Sequence, residues 1–498
     1  MIWDQWLPAL VVASSLLPGI AIFFLPEDRR GWRTILNLAG AGLKLVFVVL
    51  MLWGVSKGHT YETRYALMPS IDFKLHADSL SLLFVTLSAV LWLLTTVYAI
   101  GYLEGSPNRS RFFGFFSLCV SATTGVALAG NLFTFLIFYE MLTLSTYPLV
   151  VHRGTEQALR AGHIYLKYTL CGSAVLLLGI VWLSSIVSSL EFTDGGFLGD
   201  VDPAHHQSLV MIFALMIVGV GVKAAVVPLH GWLPAAMVAP APVSALLHAV
   251  AVVKAGAFGV VRIVYDVFGV EFCSTLGVTG PLAIAASITI IYGSIRAAYQ
   301  DDLKRLLAFS TVSQVSYIVL GTAILGPIAT TGGIVHLVHQ GLMKITLFFC
   351  AGNLAETLEI HRVSQMNGVG RRMPWTMAAF TIGAFGMIGV PPTAGFISKW
   401  YLATGAAAAE QPWFIVVLII SSLLNAGYFL PIIYAVWFKE PAGPWPADYR
   451  FGQLETRATL LGPTLVTAFL VVAVGLLANV PFSPLDWAKM IVAREYGP

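Results

Sequence analysis

Fourteen long apolar segments run along this chain, and they constrain its fold more than any other feature of the sequence. Each is close to the ~20 residues that a helix needs to cross a bilayer. Because backbone amides and carbonyls have no water partner in lipid, each segment is predicted to be a helix, and the chain an all-α polytopic membrane protein. The segments lie near 6–25, 34–54, 79–101, 110–129, 131–151, 164–188, 208–230, 243–265, 274–297, 304–325, 329–351, 374–402, 412–437 and 458–479.

The composition agrees with this class. Of the 498 residues, 57% are hydrophobic and 11% are charged, whereas a soluble domain carries about 25% charged residues. The net charge of +3 indicates no nucleic-acid partner. The cysteines are scattered singly, which predicts neither a metal centre nor a disulfide framework. No cofactor is expected, since the GVGV before Lys223 lies within an apolar span and is not a dinucleotide motif.

Positive charge predicts the orientation of the chain. The odd-numbered connections between spans hold seventeen of the 28 Lys and Arg residues. The even-numbered connections hold four, namely Lys57, Arg64, Lys74 and Arg262. The positive-inside rule therefore places the odd connections in the cytoplasm and both termini outside it. The expected location is a bacterial inner membrane.

Nine titratable residues lie inside the apolar spans. A charge at the bilayer centre costs at least about 2.5–3.5 kcal/mol, so such residues usually face a wet interior and serve a transport pathway. A buried charge can also hold helices together, which is the interpretation favoured for Lys44, an isolated charge in an ordinary span. The others favour proton transfer, because lysine and histidine exchange protons when their surroundings change. The set is Lys44, Glu140, Lys223, His248, Lys254, His336, His339, Lys344 and Lys399.

Spacing adds detail to this set. His336, Gln340 and Lys344 are four residues apart and form one stripe on the eleventh span, with His339 beside it. Six residues separate His248 from Lys254. On a continuous helix this spacing corresponds to a rise of about 9 Å, so water would be needed between the two side chains.

Two spans combine a lysine with prolines that predict a helix break. Lys223 precedes one pair of prolines in the seventh span, and Lys399 follows another pair in the twelfth span. Interrupted helices at matching positions of inverted repeats indicate a transport site, whereas an ordinary kink is the alternative. The predicted breaks are at Pro228, Pro234, Pro391 and Pro392.

These positions predict four segments. Residues 1–105 form the N-terminal helices, spans one to three. Residues 106–266 form a first five-helix repeat, and 270–438 form a second, inverted one. Residues 439–498 form the last span and the C-terminal tail.

Five motifs contain these residues and together carry a family resemblance. They are FYEMLTLSTYPLV around Glu140, KAAVVPLHGWLPAAMVAPAPVSALLHAVAVVKAG from Lys223, QDDLKRLLAFSTVSQVSY from Gln300, HQGLMKITLFFCAG around Lys344 and GVPPTAGFISKW up to Lys399. Over roughly 75–480, the chain resembles the antiporter-like subunits shared by respiratory complex I (NADH:quinone oxidoreductase) and Mrp-type multisubunit Na+/H+ antiporters.

The resemblance implies a role for each matched residue. Glu140 and Lys223 would be a switching pair, and His248 with Lys254 the middle of a proton relay. The relay would continue through His339 and Lys344 and end at Lys399. Gln340 stands where many relatives have a histidine, which leaves the donor there open.

The resemblance also implies a function and partners. The chain would be a proton-translocating subunit of a hetero-oligomeric membrane complex that exchanges protons for Na+ or K+. LTLSTYPL and the lysine ending favour a D-type Mrp subunit.

The sequence leaves other functions open. The nearest alternatives are a proton-pumping subunit of an NADH-quinone oxidoreductase or membrane hydrogenase-type complex, and a subunit of a carbon-uptake complex. A stand-alone solute transporter and a purely structural membrane subunit are alternatives from other classes. No redox site is visible in the chain, so an enzymatic activity of its own is not assigned.

Overall fold

A computed structural model describes residues 2–68, 71–103, 105–441 and 443–496. Met1, Gly497 and Pro498, which end the predicted terminal segments, lie outside the described residues. The helices are α1 Ile2–Phe23, α2 Arg30–Ser56, α3 Ser79–Tyr102, α4 Arg109–Leu128, α5 Leu132–Val150, α6 Glu156–Ser184, α7 His206–Lys223, α8 Trp232–Ala235, α9 Ala241–Ala249, α10 Val252–Arg262, α11 Val270–Leu276, α12 Thr279–Ala298, α13 Leu303–Ala323, α14 Pro327–Leu358, α15 Pro374–Ile388, α16 Ala394–Ala408, α17 Trp413–Phe438, α18 Ala458–Leu476 and α19 Pro484–Tyr496.

All fourteen predicted spans coincide with helical segments. Thirteen segments of the described chain are long and apolar enough to cross a membrane. The remaining predicted span, 374–402, is divided between α15 and α16, each of 15 residues. The protein is therefore a helical multi-pass membrane protein. Its one sheet among the described residues is the antiparallel hairpin of β1 (Tyr61–Met68) and β2 (Ile71–Ala77), which joins α2 to α3.

Polar caps begin several of these spans. The side chains of Asp78, Asn131 and Asp302 accept hydrogen bonds from backbone amides in the first turns of α3, α5 and α13. These bonds satisfy amides that the helix itself leaves without partners. Thr155 caps α6 in the same way, and α6 therefore begins at Glu156, eight residues before the predicted start at 164.

The seventh and twelfth spans are broken near Pro228, Pro391 and Pro392 as predicted, whereas the break predicted at Pro234 is wrong. The seventh span ends as a helix at Lys223, and Pro228 lies in the irregular segment that follows. Pro234 lies inside the short α8. Pro391 and Pro392 lie between α15 and α16. Both broken helices of the predicted fold are thus present.

A third interruption was not predicted. The eighth span divides between Ala249 and Val252, and the amides of Val250 and Ala251 both donate to the carbonyl of Leu246. Residues 249–252 read AVAV and contain neither proline nor glycine, so nothing in the local sequence marks this break. The assumption of a continuous helix from His248 to Lys254 is therefore wrong.

Three spans form the centre of the molecule. The most apolar stretches of 241–268, α13 and α14 are 100% buried within the protein. The other spans surround them and leave parts of their surfaces exposed, as expected for helices that face lipid. Polar side chains on the central spans are therefore enclosed by protein and not by bilayer.

Arg262 anchors the end of α10 to α3. Its guanidinium binds Asp78 at 2.6 Å and Asp266 at 3.1 Å, and it is buried. Although burial favours the neutral acid, Arg262 holds the pKa of Asp78 well below its usual range. Arg262 lies within the spanning segment Ala241–Phe268, so its predicted placement in a connection is wrong. The two carboxylates offset the cost of burying the Arg262 charge away from water.

The C-terminal helix α19 brings a further acid to this ion-pair cluster. The carboxylate oxygens of Asp194, Asp266 and Glu495 lie within 4.8 Å of one another. Glu495 accepts a hydrogen bond from the Gly195 amide at 3.3 Å. Burial raises the pKa of the Glu495 carboxyl group, and the negative charge of Asp194 raises it as well. The hydrogen bond from the Gly195 amide lowers the pKa, but the net result is a pKa raised from 4.5 to about 7.

This raised pKa predicts a pH-dependent stability. A carboxyl group with a raised pKa in the folded state contributes stability that is lost as pH rises through about 7. We expect the thermal unfolding temperature of the detergent-solubilised chain to decrease as pH rises from about 4.5 to about 7, the window between the unfolded and folded pKa values of Glu495. Glu495→Gln, which is neutral at both pH values, should flatten this dependence. An equally steep dependence in the variant would contradict the assignment to Glu495.

Candidate functional site

Lys223 lies at the end of α7, where the seventh span breaks. Its side chain is 0% exposed. The ammonium group donates a hydrogen bond to the Tyr139 carbonyl on α5 and lies 3.3 Å from the centre of the Tyr139 ring. The Trp232 indole caps the same helix end by donating to the Val222 carbonyl at 2.7 Å. The Trp232 side chain thus supplies a hydrogen-bond partner to a backbone carbonyl at the end of α7, next to Lys223.

Glu140 is the residue after Tyr139 and lies half-buried on α5. Its carboxylate is close enough to attract the Lys223 ammonium electrostatically. Within the described residues, however, no salt bridge of 4.0 Å or less joins Glu140 to Lys223. The two groups are therefore neighbours without direct contact, and Tyr139 holds the ammonium in this geometry.

His248 and Lys254 lie on either side of the unpredicted break between α9 and α10. Both are 0% exposed. Within the described part of the chain, both ring nitrogens of His248 and the Lys254 ammonium lack a hydrogen-bond partner. Such buried polar atoms are costly unless they bind water or exchange protons. The break thus opens the eighth span beside two titratable side chains.

The long helix α14 carries the next group of polar side chains. Its Lys344 ammonium donates to the Leu307 carbonyl at 3.2 Å. His339 and Gln340 are fully buried, and their side-chain nitrogen and oxygen atoms have no partner among the described residues. The stripe predicted from the spacing of this helix therefore faces the protein interior.

Lys399 lies at the second predicted break. Its ammonium donates to the Met387 and Ile388 carbonyls at 2.8 and 2.9 Å and to the Ser422 hydroxyl at 3.0 Å. Those carbonyls are at the end of α15, which the break leaves without helical partners. A cation is favoured there, because the carbonyl end of a helix carries partial negative charge.

His336 joins the middle of this set to Lys399. One of its ring nitrogens shares a 2.8 Å hydrogen bond with the Ser398 hydroxyl, next to Lys399. Lys254, His339 and Lys399 all act on His336 electrostatically. His248 is under the influence of Lys344 in the same way. The sequence analysis places His336 among the embedded residues on the Lys344 stripe, but it does not include His336 in the relay.

The site is therefore a row of titratable groups, all of them buried except the half-buried Glu140. It crosses from α5 and α7 through the central helices to α16. The row contains Glu140, Lys223, Lys254, His248, His339, His336, Lys344 and Lys399. Each group can hold or release a proton.

Comparison with known proteins places the chain in a family. Residues 129–425, more than half of the chain, match the family described as "NADH:quinone oxidoreductase/Mrp antiporter, TM". Residues 68–113 match "NADH-Ubiquinone oxidoreductase (complex I), chain 5 N-terminus".

Individual relatives come from both branches of this family. The N subunit of the NADH-quinone oxidoreductase of Desulforudis audaxviator is 37% identical over 441 residues, which cover 84% of this chain and 86% of that protein. The D subunit of the Na+/H+ antiporter of Alkalihalophilus pseudofirmus is 26% identical over 89% of this chain and 90% of its own.

A solved structure shares the fold over the whole chain. A chain of the Mrp complex from Dietzia sp. DQ12-45-1b matches with a TM-score of 0.87, covers 100% of this chain and is 23% identical. Together with the matched motifs and the row of buried lysines and histidines, these similarities identify the family. The chain belongs to the family of antiporter-like membrane subunits shared by NADH:quinone oxidoreductases and Mrp antiporters.

Proposed function

We propose that this chain is the proton-translocating subunit of a multisubunit Na+ or K+/H+ antiporter of the Mrp D type. The observation that carries the proposal is the row of fully buried lysines and histidines, several of them without hydrogen-bond partners among the described residues. Water is the partner that fits polar atoms in such a position. A hydrated row of such groups can pass a proton from one to the next.

The proposed relay begins at the break of the seventh span. A charge change in a neighbouring subunit alters the attraction between Glu140 and Lys223, which are near each other but not bonded. Lys223 then releases its proton towards Lys254 and the histidines. Exit follows from Lys399, where the carbonyl end of α15 favours a cation.

The surface around Glu140 supports a partner subunit. Ile137 and Leu144, three residues before and four after it, are 37% and 60% exposed, so this face of α5 is partly uncovered. A carboxylate at membrane depth is costly against lipid. A neighbouring membrane subunit over this face would remove that cost, in line with relatives that belong to multisubunit complexes.

Two architectural expectations complete the proposal. Residues 106–266 and 270–438 are inverted repeats, supported by the presence of a buried lysine beside a helix break in each, with Lys223 before its break and Lys399 after its break. The charge asymmetry supports cytoplasmic odd-numbered connections in a bacterial inner membrane.

A redox-driven complex is a second candidate function, because the 37% identical relative belongs to an NADH-quinone oxidoreductase. Inverted vesicles that carry the native complex distinguish the two. With a pH gradient established by ATP hydrolysis, we expect added Na+ or K+ to dissipate the gradient only when this chain is present. If deletion of the chain instead abolished an NADH-driven gradient and left cation exchange unchanged, the redox function would replace the antiporter function.

A further inference from the structure

A small polar cavity lies among helices that carry none of the row of buried lysines and histidines. It has a volume of about 150 Å³ and lies between α2, α3, α4 and α18, at the ends that the charge asymmetry assigns to the cytoplasm. Three arginines line it, Arg30, Arg33 and Arg109, and we call it the arginine pocket. Its other polar lining residues are Thr34, Asn37 and Thr459.

Two of the arginines are held in place. Arg33 is 3% exposed and donates to the Ser110 hydroxyl at 2.6 Å and the Glu27 carbonyl at 3.1 Å. Arg109 donates from Nη2 to the Glu27 carbonyl at 3.5 Å, whereas its buried Nε lies 3.8 Å from a Glu27 carboxylate oxygen and has no hydrogen-bond partner among the described residues. The pocket therefore contains a fixed cation and an unused donor.

None of the described residues that line the pocket is an acid. Glu27 and Asp28 are the acids that act on Arg33 electrostatically. Glu27 already accepts the Arg109 and Ser110 amides at 3.0 and 2.9 Å. Burial alone would raise the pKa of Glu27, but the hydrogen bonds from these amides help to bring it below its usual value, so Glu27 is ionised. Among the described lining residues the charged groups are Arg30, Arg33 and Arg109, and a negatively charged phosphodiester is complementary to them.

The surface beside the pocket is suited to lipid. Trp32 and Ile35 on α2 are 59% and 56% exposed, and they flank the pocket residues Arg33 and Thr34 in the sequence. Tryptophan is typical of the membrane interface. Acyl chains can lie along this face of α2, while a head group reaches the arginines.

We propose that the arginine pocket binds the phosphate group of an anionic phospholipid from the leaflet on that side of the membrane. Basic pockets between membrane helices on the cytoplasmic side are known to bind such head groups. The bidentate geometry of guanidinium groups suits phosphate oxygens. A phospholipid there would bridge the N-terminal helices to α18.

Native mass spectrometry of the purified full chain in mixed micelles tests this proposal. The measured quantity is the fraction of chain that retains one phosphatidylglycerol or one phosphatidylcholine at equal mole fraction. We expect phosphatidylglycerol to bind more tightly. Arg30→Gln and Arg109→Gln should each weaken its binding by about fivefold. Arg29→Gln is the matched control, because Arg29 is the neighbouring arginine outside the pocket, and it should bind like the wild type.

Three results would overturn the proposal. Equal binding of the two lipids would exclude recognition of net charge. An equal loss in Arg29→Gln would assign the effect to general surface charge. Inorganic phosphate that displaced the lipid and itself bound in an Arg30-dependent way would identify a free-anion site. Should Arg30→Gln fail to fold, Arg30→Lys keeps the charge and must retain most of the preference for phosphatidylglycerol.

Discussion

Replacement of Lys223 by alanine is expected to abolish cation-driven proton movement in inverted vesicles that carry the complex. Lys223 is fully buried at the end of α7 and is in electrostatic range of Glu140. Removal of a positioned proton-transfer group commonly costs about 10²-fold or more in rate. Glu140→Ala should have a similar effect, since the proposed switch needs both members of the pair. The measurement is the rate of ΔpH dissipation after addition of Na+ or K+.

A second buried lysine provides the control for this experiment. Lys44 is also 0% exposed, donates to the Thr124 hydroxyl and lies 5.1 Å from the centre of the Trp92 ring. It lies among the N-terminal helices, outside the row that runs from Lys223 to Lys399. Lys44→Ala removes an equally buried ammonium, so transport should persist if the complex assembles, as checked on a native gel. Normal transport by assembled Lys223→Ala and Glu140→Ala complexes would show that those charges are structural.

Replacement of Gly256 by alanine is expected to destabilise the chain strongly. A Cβ at this position would lie 2.1 Å from the Ala224 nitrogen and 2.6 Å from the Lys223 carbonyl carbon, atoms that belong to the backbone. Helix α10 could then keep its form only by moving away from the break beside Lys223. Overpacking of this kind costs about 1–3 kcal/mol, and contact with backbone favours the upper end.

A thermal unfolding measurement on the detergent-solubilised chain checks this second effect. Gly280→Ala in α12 is the control, because its new Cβ would meet nothing within 4 Å. That variant should be as stable as the wild type or slightly more stable, since alanine favours helix over glycine by about 1 kcal/mol. Gly256→Ala should unfold several degrees lower. Equal midpoints for both variants would contradict the close packing of α10 on α7.

The family and the spans could be predicted from the sequence, and so could most residues of the candidate site. Length and hydropathy are sufficient to locate helices, because lipid leaves the backbone no other partner. Titratable residues in apolar runs stand out for the same energetic reason. The breaks near Pro228 and Pro391 were predictable as well, because proline cannot donate the helical hydrogen bond.

The third break and the contact of His336 with Ser398 could not be predicted. Residues 249–252 are ordinary helix formers for a membrane, and their interruption depends on neighbours distant in sequence. Gly341 of α14, for example, lies so close that a Cβ there would be 2.9 Å from the Ala249 carbonyl oxygen. His336 is recognisable as a connecting residue only once Ser398 and Tyr317 are placed against it.

The sequence by itself determined which segments cross the membrane, which residues carry charge into it, and which family the chain resembles. Only the tertiary structure decided which of those charges meet. It showed that Lys223 rests on the Tyr139 carbonyl and not on Glu140, that Lys399 caps the carbonyl end of α15, and that Arg262 is a buried anchor. The physical reason is that helix formation in lipid is a local requirement of the backbone, whereas the pairing of buried charges depends on how distant helices pack.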